Sequence, residues 1–210
     1  MGTGTHIPEE CETLMPSQAA QQFRDLIIEL SEEYAVDPRS GDPSTLSQSQ
    51  MRMRVRALFA TLEALIYVWK QMALEYHPDP DCKVLTQVEI GYAQEQEFKL
   101  NDKGQIETAQ AKIPLWKDIR FAYRLLAKAG NVPSELDVSG TGWEGLQKAI
   151  KVRDRITHPK STRDLVLTED ECKTVSHAFG WVVATFLNLQ TRMTEQANRN
   201  LQSGDAQQAS

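Results

Sequence analysis

The sequence predicts an all-α fold, a bundle of four to five helices carrying a small β-hairpin insertion. Three observations predict it. Apolar residues recur at steps of three and four through most of the chain, which is the period of a helix with one buried face. Thr-x-x-Glu boxes and prolines punctuate those segments, as helix starts and stops do. Strict alternation of apolar and polar residues replaces the helical period in one place only, on either side of Asn101-Asp102-Lys103-Gly104.

The elements follow in order. Residues 1–15 are unpatterned and read as a disordered N-terminal tail. Pro16 and Ser17 open a first helix with the stripe Phe23, Leu26, Ile27, Leu30 and Tyr34, closed by the loop Asp37-Pro-Arg-Ser-Gly-Asp-Pro. The second helix runs from about Ser47 to Tyr76 on Val55, Leu58, Leu62, Leu65, Trp69 and Met72, and is about 45 Å long at about 1.5 Å per residue. Phe59, Ile66 and Ala73 widen its apolar face beyond what one neighbour covers, which calls for a bundle.

Thr86 and Glu89 box a brief helix, and the hairpin insertion occupies about 97–112, with Gly104 free to take positive φ in its turn. Pro114 starts a helix on Trp116, Ile119, Ala122, Tyr123 and Leu126 that Gly130-Asn131 closes. Thr141 and Glu144 are spaced as a capping box for the next helix, which Pro159 ends. Thr168 and Glu171 box the last, whose face is Cys172, Val175, Phe179, Val182, Val183, Phe186 and Met193. Residues 16–195 thus read as a single helical domain, and 196–210 as a disordered C-terminal tail.

Composition bounds the function. The net charge of −6 argues against sequence-independent nucleic-acid binding over the whole surface. Three cysteines, widely spaced, form neither a disulfide framework nor a zinc knuckle, and Cys172 falls on a core stripe. The N-terminus lacks a secretory leader pattern, and no apolar run is expected to span a membrane, so the expected address is cytoplasmic. No hydrolase elbow, phosphate-binding loop or dinucleotide fingerprint is present, and no cofactor is expected. His77, Asp79, Asp81 and Cys82 could ligate a metal, but the intervening prolines splay them and a helix-end turn explains them; no metal site is expected. His177, beside the last stripe, reads as a helix-surface or satisfied core histidine.

The penultimate helix breaks its own pattern. Trp143, Leu146, Ala149, Ile150 and Ile156 define its apolar face, and Arg153 falls near the middle of that face. A guanidinium there needs a partner, an opening to solvent or an interface. His158, directly before Pro159, lies at the helix C-terminus, where the dipole stabilises an imidazolium and the ring can exchange protons. From Lys148 to Arg163 six positive residues meet one negative, a local +5 that leaves −11 elsewhere. Such a concentration reads either as a phosphate-binding surface or as a solvated helix face.

The run Arg153-Asp154-Arg155-Ile156-Thr157-His158, followed by Pro159, resembles the motif of the HEPN superfamily: arginine, a polar residue, three further positions and histidine near the end of a helix in a bundle. The resemblance implies a metal-independent endoribonuclease, as in toxin–antitoxin or phage-defence effectors, and commonly a homodimer with the motif near the interface. It implies catalytic roles for Arg153, His158 and Asp154, with RNA as substrate and an antitoxin or other protein as possible partner. Lys151, Arg155, Lys160 and Arg163 would then hold flanking phosphates. The alternative of the same fold is a non-catalytic nucleotide-binding or dimerisation module. A third reading makes Arg153 an interhelical ion pair and His158 no more than the end of its helix.

Overall fold

The structure, a computed structural model, describes residues 43–76 and 84–208 together with Gln21 and Asp25. The first expected helix and its stripe from Phe23 to Tyr34, the N-terminal tail, and His77, Asp79, Asp81 and Cys82 lie outside the described residues. A 3-10 turn at Pro43–Thr45 precedes α1 (Gln48–Glu75). Next come α2 (Gln87–Ala93), the antiparallel strands β1 (Gln96–Leu100) and β2 (Ile106–Gln110), and α3 (Leu115–Ala129). The chain continues through α4 (Thr141–Thr157), a 3-10 turn at Thr162–Leu165, and α5 (Glu169–Gln208). The all-α bundle with its hairpin is therefore the observed architecture.

α1 is the central element and packs against α2, α3, α4 and α5, while α4 lies along α5. Its stripe produces this: Val55, Leu62, Leu65, Ile66 and Trp69 are all at most 2% exposed. Trp69 stacks on Phe186 of α5 with ring centroids 3.7 Å apart, and Tyr123 of α3 meets the same Phe186 edge-on at 5.6 Å. Each such side chain contributes about 1.5–3 kcal/mol by leaving water, so three helices are locked around one aromatic cluster. By length and composition α1 could also cross a membrane, which corrects the expectation that no run is apolar enough; 61% of its apolar window is buried inside the bundle.

Caps fix the helix starts. Ser47 and Gln50 form a reciprocal box at α1, as Thr86 and Glu89 do at α2. At α5 the Glu171 N–H donates to Thr168 Oγ1 (3.2 Å) and the Thr168 N–H to Glu171 Oε2 (3.0 Å). The Thr141–Glu144 box does not form. Thr141 is already the first helical residue, one position too late to cap, and Gly140 is the N-cap without a side-chain bond. Asp137 orders the approach instead, accepting from the N–H groups of Ser139 (2.9 Å) and Gly140 (3.0 Å), and these bonds hold its carboxyl below the usual carboxylate range.

The hairpin pairs Phe98 with Thr108 and Leu100 with Ile106, and Gly104 takes φ +73° in its turn. It leans on the bundle at its base, where the Phe98 ring lies over Gly91 of α2, while Leu100 and Ile106 stay 74% exposed. α3 closes through Asn131 at φ +51°, and Gly130 beside it lets Met193 of α5 pass where a Cβ would stand. α5 continues to Gln208 rather than ending near residue 195. Its apolar face stops at Met193, but no proline follows, and local pairs such as Gln196 with Asn200 (3.0 Å) suit a helix.

Candidate functional site at the end of α4

α4 buries Trp143, Leu146, Ala149, Val152 and Ile156. Val152, not Arg153, completes the inward face, so the guanidinium sits on the border of the core rather than in its middle, with 29% of its side chain exposed. It ion-pairs with Glu63 of α1, reaches Asp154 Oδ1 at 3.1 Å, and lies 5.8 Å from the centre of the Phe59 ring. Arg153 thus has a carboxylate partner on another helix of its own chain.

His158 caps α4. Its N–H donates to the Asp154 carbonyl at 2.9 Å, and its backbone leaves the helical region at φ −123°, ψ 58°, as a residue before proline does. The residue is exposed, and among the described residues its imidazole has no hydrogen-bond or ion-pair partner. The structure therefore brings Arg153 and Asp154 together and leaves the imidazole open to solvent at the helix end.

The four cations expected to hold phosphates divide into two groups. Lys151, Lys160 and Arg163 are exposed. Arg155 instead organises the connection between α4 and α5. It donates to the carbonyls of Asp164 (3.1 Å) and Val166 (2.8 Å) and pairs with Glu171 Oε1 (2.6 Å). Asp164 closes the turn from the other side, accepting from the N–H groups of Lys160 and Ser161 at 2.8 Å each. Those two bonds, with the Arg155 charge nearby, hold the Asp164 carboxyl below its ordinary value.

α1 supplies residues to this end that the motif did not reveal. Arg56 donates to the Ile156 carbonyl (2.9 Å), at the C-terminus of α4, and Arg52 to the Leu165 carbonyl (2.9 Å). Gln48 exchanges two 2.8 Å bonds with the Leu167 backbone. A guanidinium at unsatisfied helix carbonyls is favourable both as a hydrogen bond and against the dipole. The run Met51-Arg-Met-Arg-Val-Arg56 was the available signal, but three arginines in a long helix do not disclose which loop they face.

A second group also went unread. Lys70 of α1 has no exposed surface and pairs with Asp118 of α3 and Glu95 at the foot of the hairpin. Among the described residues no cluster of histidine, cysteine and carboxylate side chains could hold a metal ion. Cys172 is buried in the core and His177 is exposed on α5. No protein-family model, no curated protein and no solved structure matches the chain.

Proposed function

We propose that the chain is a metal-independent endoribonuclease of HEPN type, a cytoplasmic toxin or phage-defence effector acting through Arg153 and His158. The observation that carries this reading is the open imidazole at the end of α4, five residues beyond a partly exposed arginine and in one segment with the exposed cations Lys151, Lys160 and Arg163. In the reaction the 2′-oxygen of RNA bonds to the adjacent phosphorus and the bond to the 5′-oxygen breaks. One proton leaves the 2′-hydroxyl and one reaches the departing 5′-oxygen. His158 exchanges a proton in this step, and Arg153 stabilises the charge on the phosphoryl oxygens. Asp154, in contact with Arg153, orients it.

A second reading is the non-catalytic nucleotide-binding or dimerisation module; the pairing of Arg153 with Glu63 and Asp154 favours instead a third, in which Arg153 is an interhelical ion pair. Its charge is already compensated, so a phosphate has to displace a carboxylate. RNA cleavage in the presence of EDTA, measured for the parent chain and for His158→Ala, tests the first two. The nuclease reading expects a loss of about 10²–10⁴-fold in the variant, with an unchanged melting temperature. Binding without cleavage by the parent chain selects the second reading. Equal cleavage by both proteins removes His158 from the chemistry.

A further inference from the structure

Two arginines of α1, one helical turn apart, make the same kind of bond. Arg52 donates to the Leu165 carbonyl and Arg56 to the Ile156 carbonyl, each at 2.9 Å. Their surroundings differ. Arg52 is half-buried, whereas Arg56 is exposed and meets α4 in its last turn, two residues before His158. Charge sets Arg56 apart from the arginines of α4 as well. Arg153 is paired with Glu63 and Asp154, and Arg155 with Glu171. Among the described residues no carboxylate pairs with Arg56, and residues 48–62 of its own helix contain three arginines and no acidic residue. An anion arriving at Arg153 has to displace a carboxylate. At Arg56 it meets an exposed guanidinium that no side chain neutralises.

We propose that Arg56, outside the motif and on another helix, is the residue that binds the RNA phosphate at this end of the bundle. The Ile156 carbonyl occupies one nitrogen of its guanidinium and fixes the group in place. The remaining N–H groups suit a phosphate, which a guanidinium meets through two parallel N–H···O bonds. Fixing the donors beforehand lowers the entropy lost when the anion is bound. Arg153, already neutralised, contributes little to this ground-state binding. That the phosphate held by Arg56 is the one whose neighbouring 2′-hydroxyl reacts rests on the reading of His158 as the proton-exchanging group; the binding itself does not.

Fluorescence anisotropy of the full chain with a short single-stranded 2′-O-methyl RNA, which lacks the reacting hydroxyl, tests this over a salt series. For single strands the fall of log affinity with log salt has a slope of about 0.7 per phosphate contact. Arg56→Gln is expected to lower the slope by about that amount and to weaken binding about tenfold at low salt. Arg56→Lys keeps the charge and is expected to keep the slope. Arg52→Gln breaks a bond of the same length and is expected to change the slope less. A mere tie between α1 and α4 gives another pattern: both Arg56 variants lose melting temperature and neither moves the slope. That pattern overturns the proposal, as does a parent chain that does not bind the oligonucleotide or an equal fall of slope in Arg52→Gln. The nuclease reading fails separately. Binding that depends on Arg56, with no cleavage of unmodified RNA, keeps the phosphate contact and removes the catalysis. Cleavage whose KM is indifferent to Arg56→Gln, with the slope unmoved, keeps the catalysis and removes the contact.

Discussion

The Nζ of Lys70 lies 3.1 Å from one carboxylate oxygen of Asp118 and 3.2 Å from the other, in a side chain with no exposed surface. Glu95, held at φ +59°, reaches the same nitrogen at 3.3 Å. A buried ammonium is tolerated only while its partners stay, and removing one side of such a pair costs about 3–5 kcal/mol. Asp118→Ala is therefore expected to lower unfolding stability in urea by that order. Lys70→Met, which removes the charge and keeps the volume, is expected to cost clearly less. A larger loss for Lys70→Met than for Asp118→Ala contradicts the account.

Acid stability separates two kinds of carboxylate. Burial pushes Asp118 up, although Lys70 pulls it down. The two effects oppose one another there, and the buried Lys70 ammonium has the ionised form as its partner. At Asp164 the hydrogen bonds favour the ionised form. Its carboxyl is lowered by the Lys160 and Ser161 N–H groups, so its contribution is present above the unfolded value near 3.9 and lost as pH falls through the folded one. Asp164→Asn should flatten the acid limb of the stability curve below about pH 4. An unchanged acid limb would show that the turn at 160–164 does not depend on that charge.

Arg155 touches three acceptors on both sides of the connection between α4 and α5. Losing it leaves two carbonyls and Glu171 without their donor. Arg155→Ala is expected to destabilise by about 1–3 kcal/mol, and Arg155→Lys to recover only part, because an ammonium cannot reproduce the planar fork. Hydrogen exchange at residues 160–166 should quicken in both variants before the core of α1 is affected.

Glu63 occupies the Arg153 guanidinium with a carboxylate of the same chain. Glu63→Gln keeps the shape and removes the charge, so RNA affinity at low salt should rise by a few fold, by about the effect of one additional phosphate contact. Affinity that stays constant, measured by fluorescence anisotropy with and without Arg153→Ala, would mean that Arg153 does not meet RNA.

Much of the fold was legible because it is written in local periodicity. Leu58, Leu62, Leu65 and Trp69 fix α1 and its inward face, Thr168 and Glu171 fix the start of α5, and Asn101 to Gly104 fix the hairpin turn. The same local signals misplaced the start of α4, because Asp137 orders that approach from outside the helix.

Among the described residues, the sequence alone determined which segments are helical and which face of α1 and of α5 turns inward, since both follow from which residue types one chain segment places on one face. It also determined that α4 ends at His158, because the proline ring excludes helical backbone before it. Only the tertiary structure decided that Glu63 is the partner of Arg153, that Arg155 faces inward on a loop, and that Arg52 and Arg56 meet the end of α4. The pairings of Glu63, Arg52 and Arg56 join residues about a hundred positions apart, and no local rule sets them; the packing of α1 against α4 does.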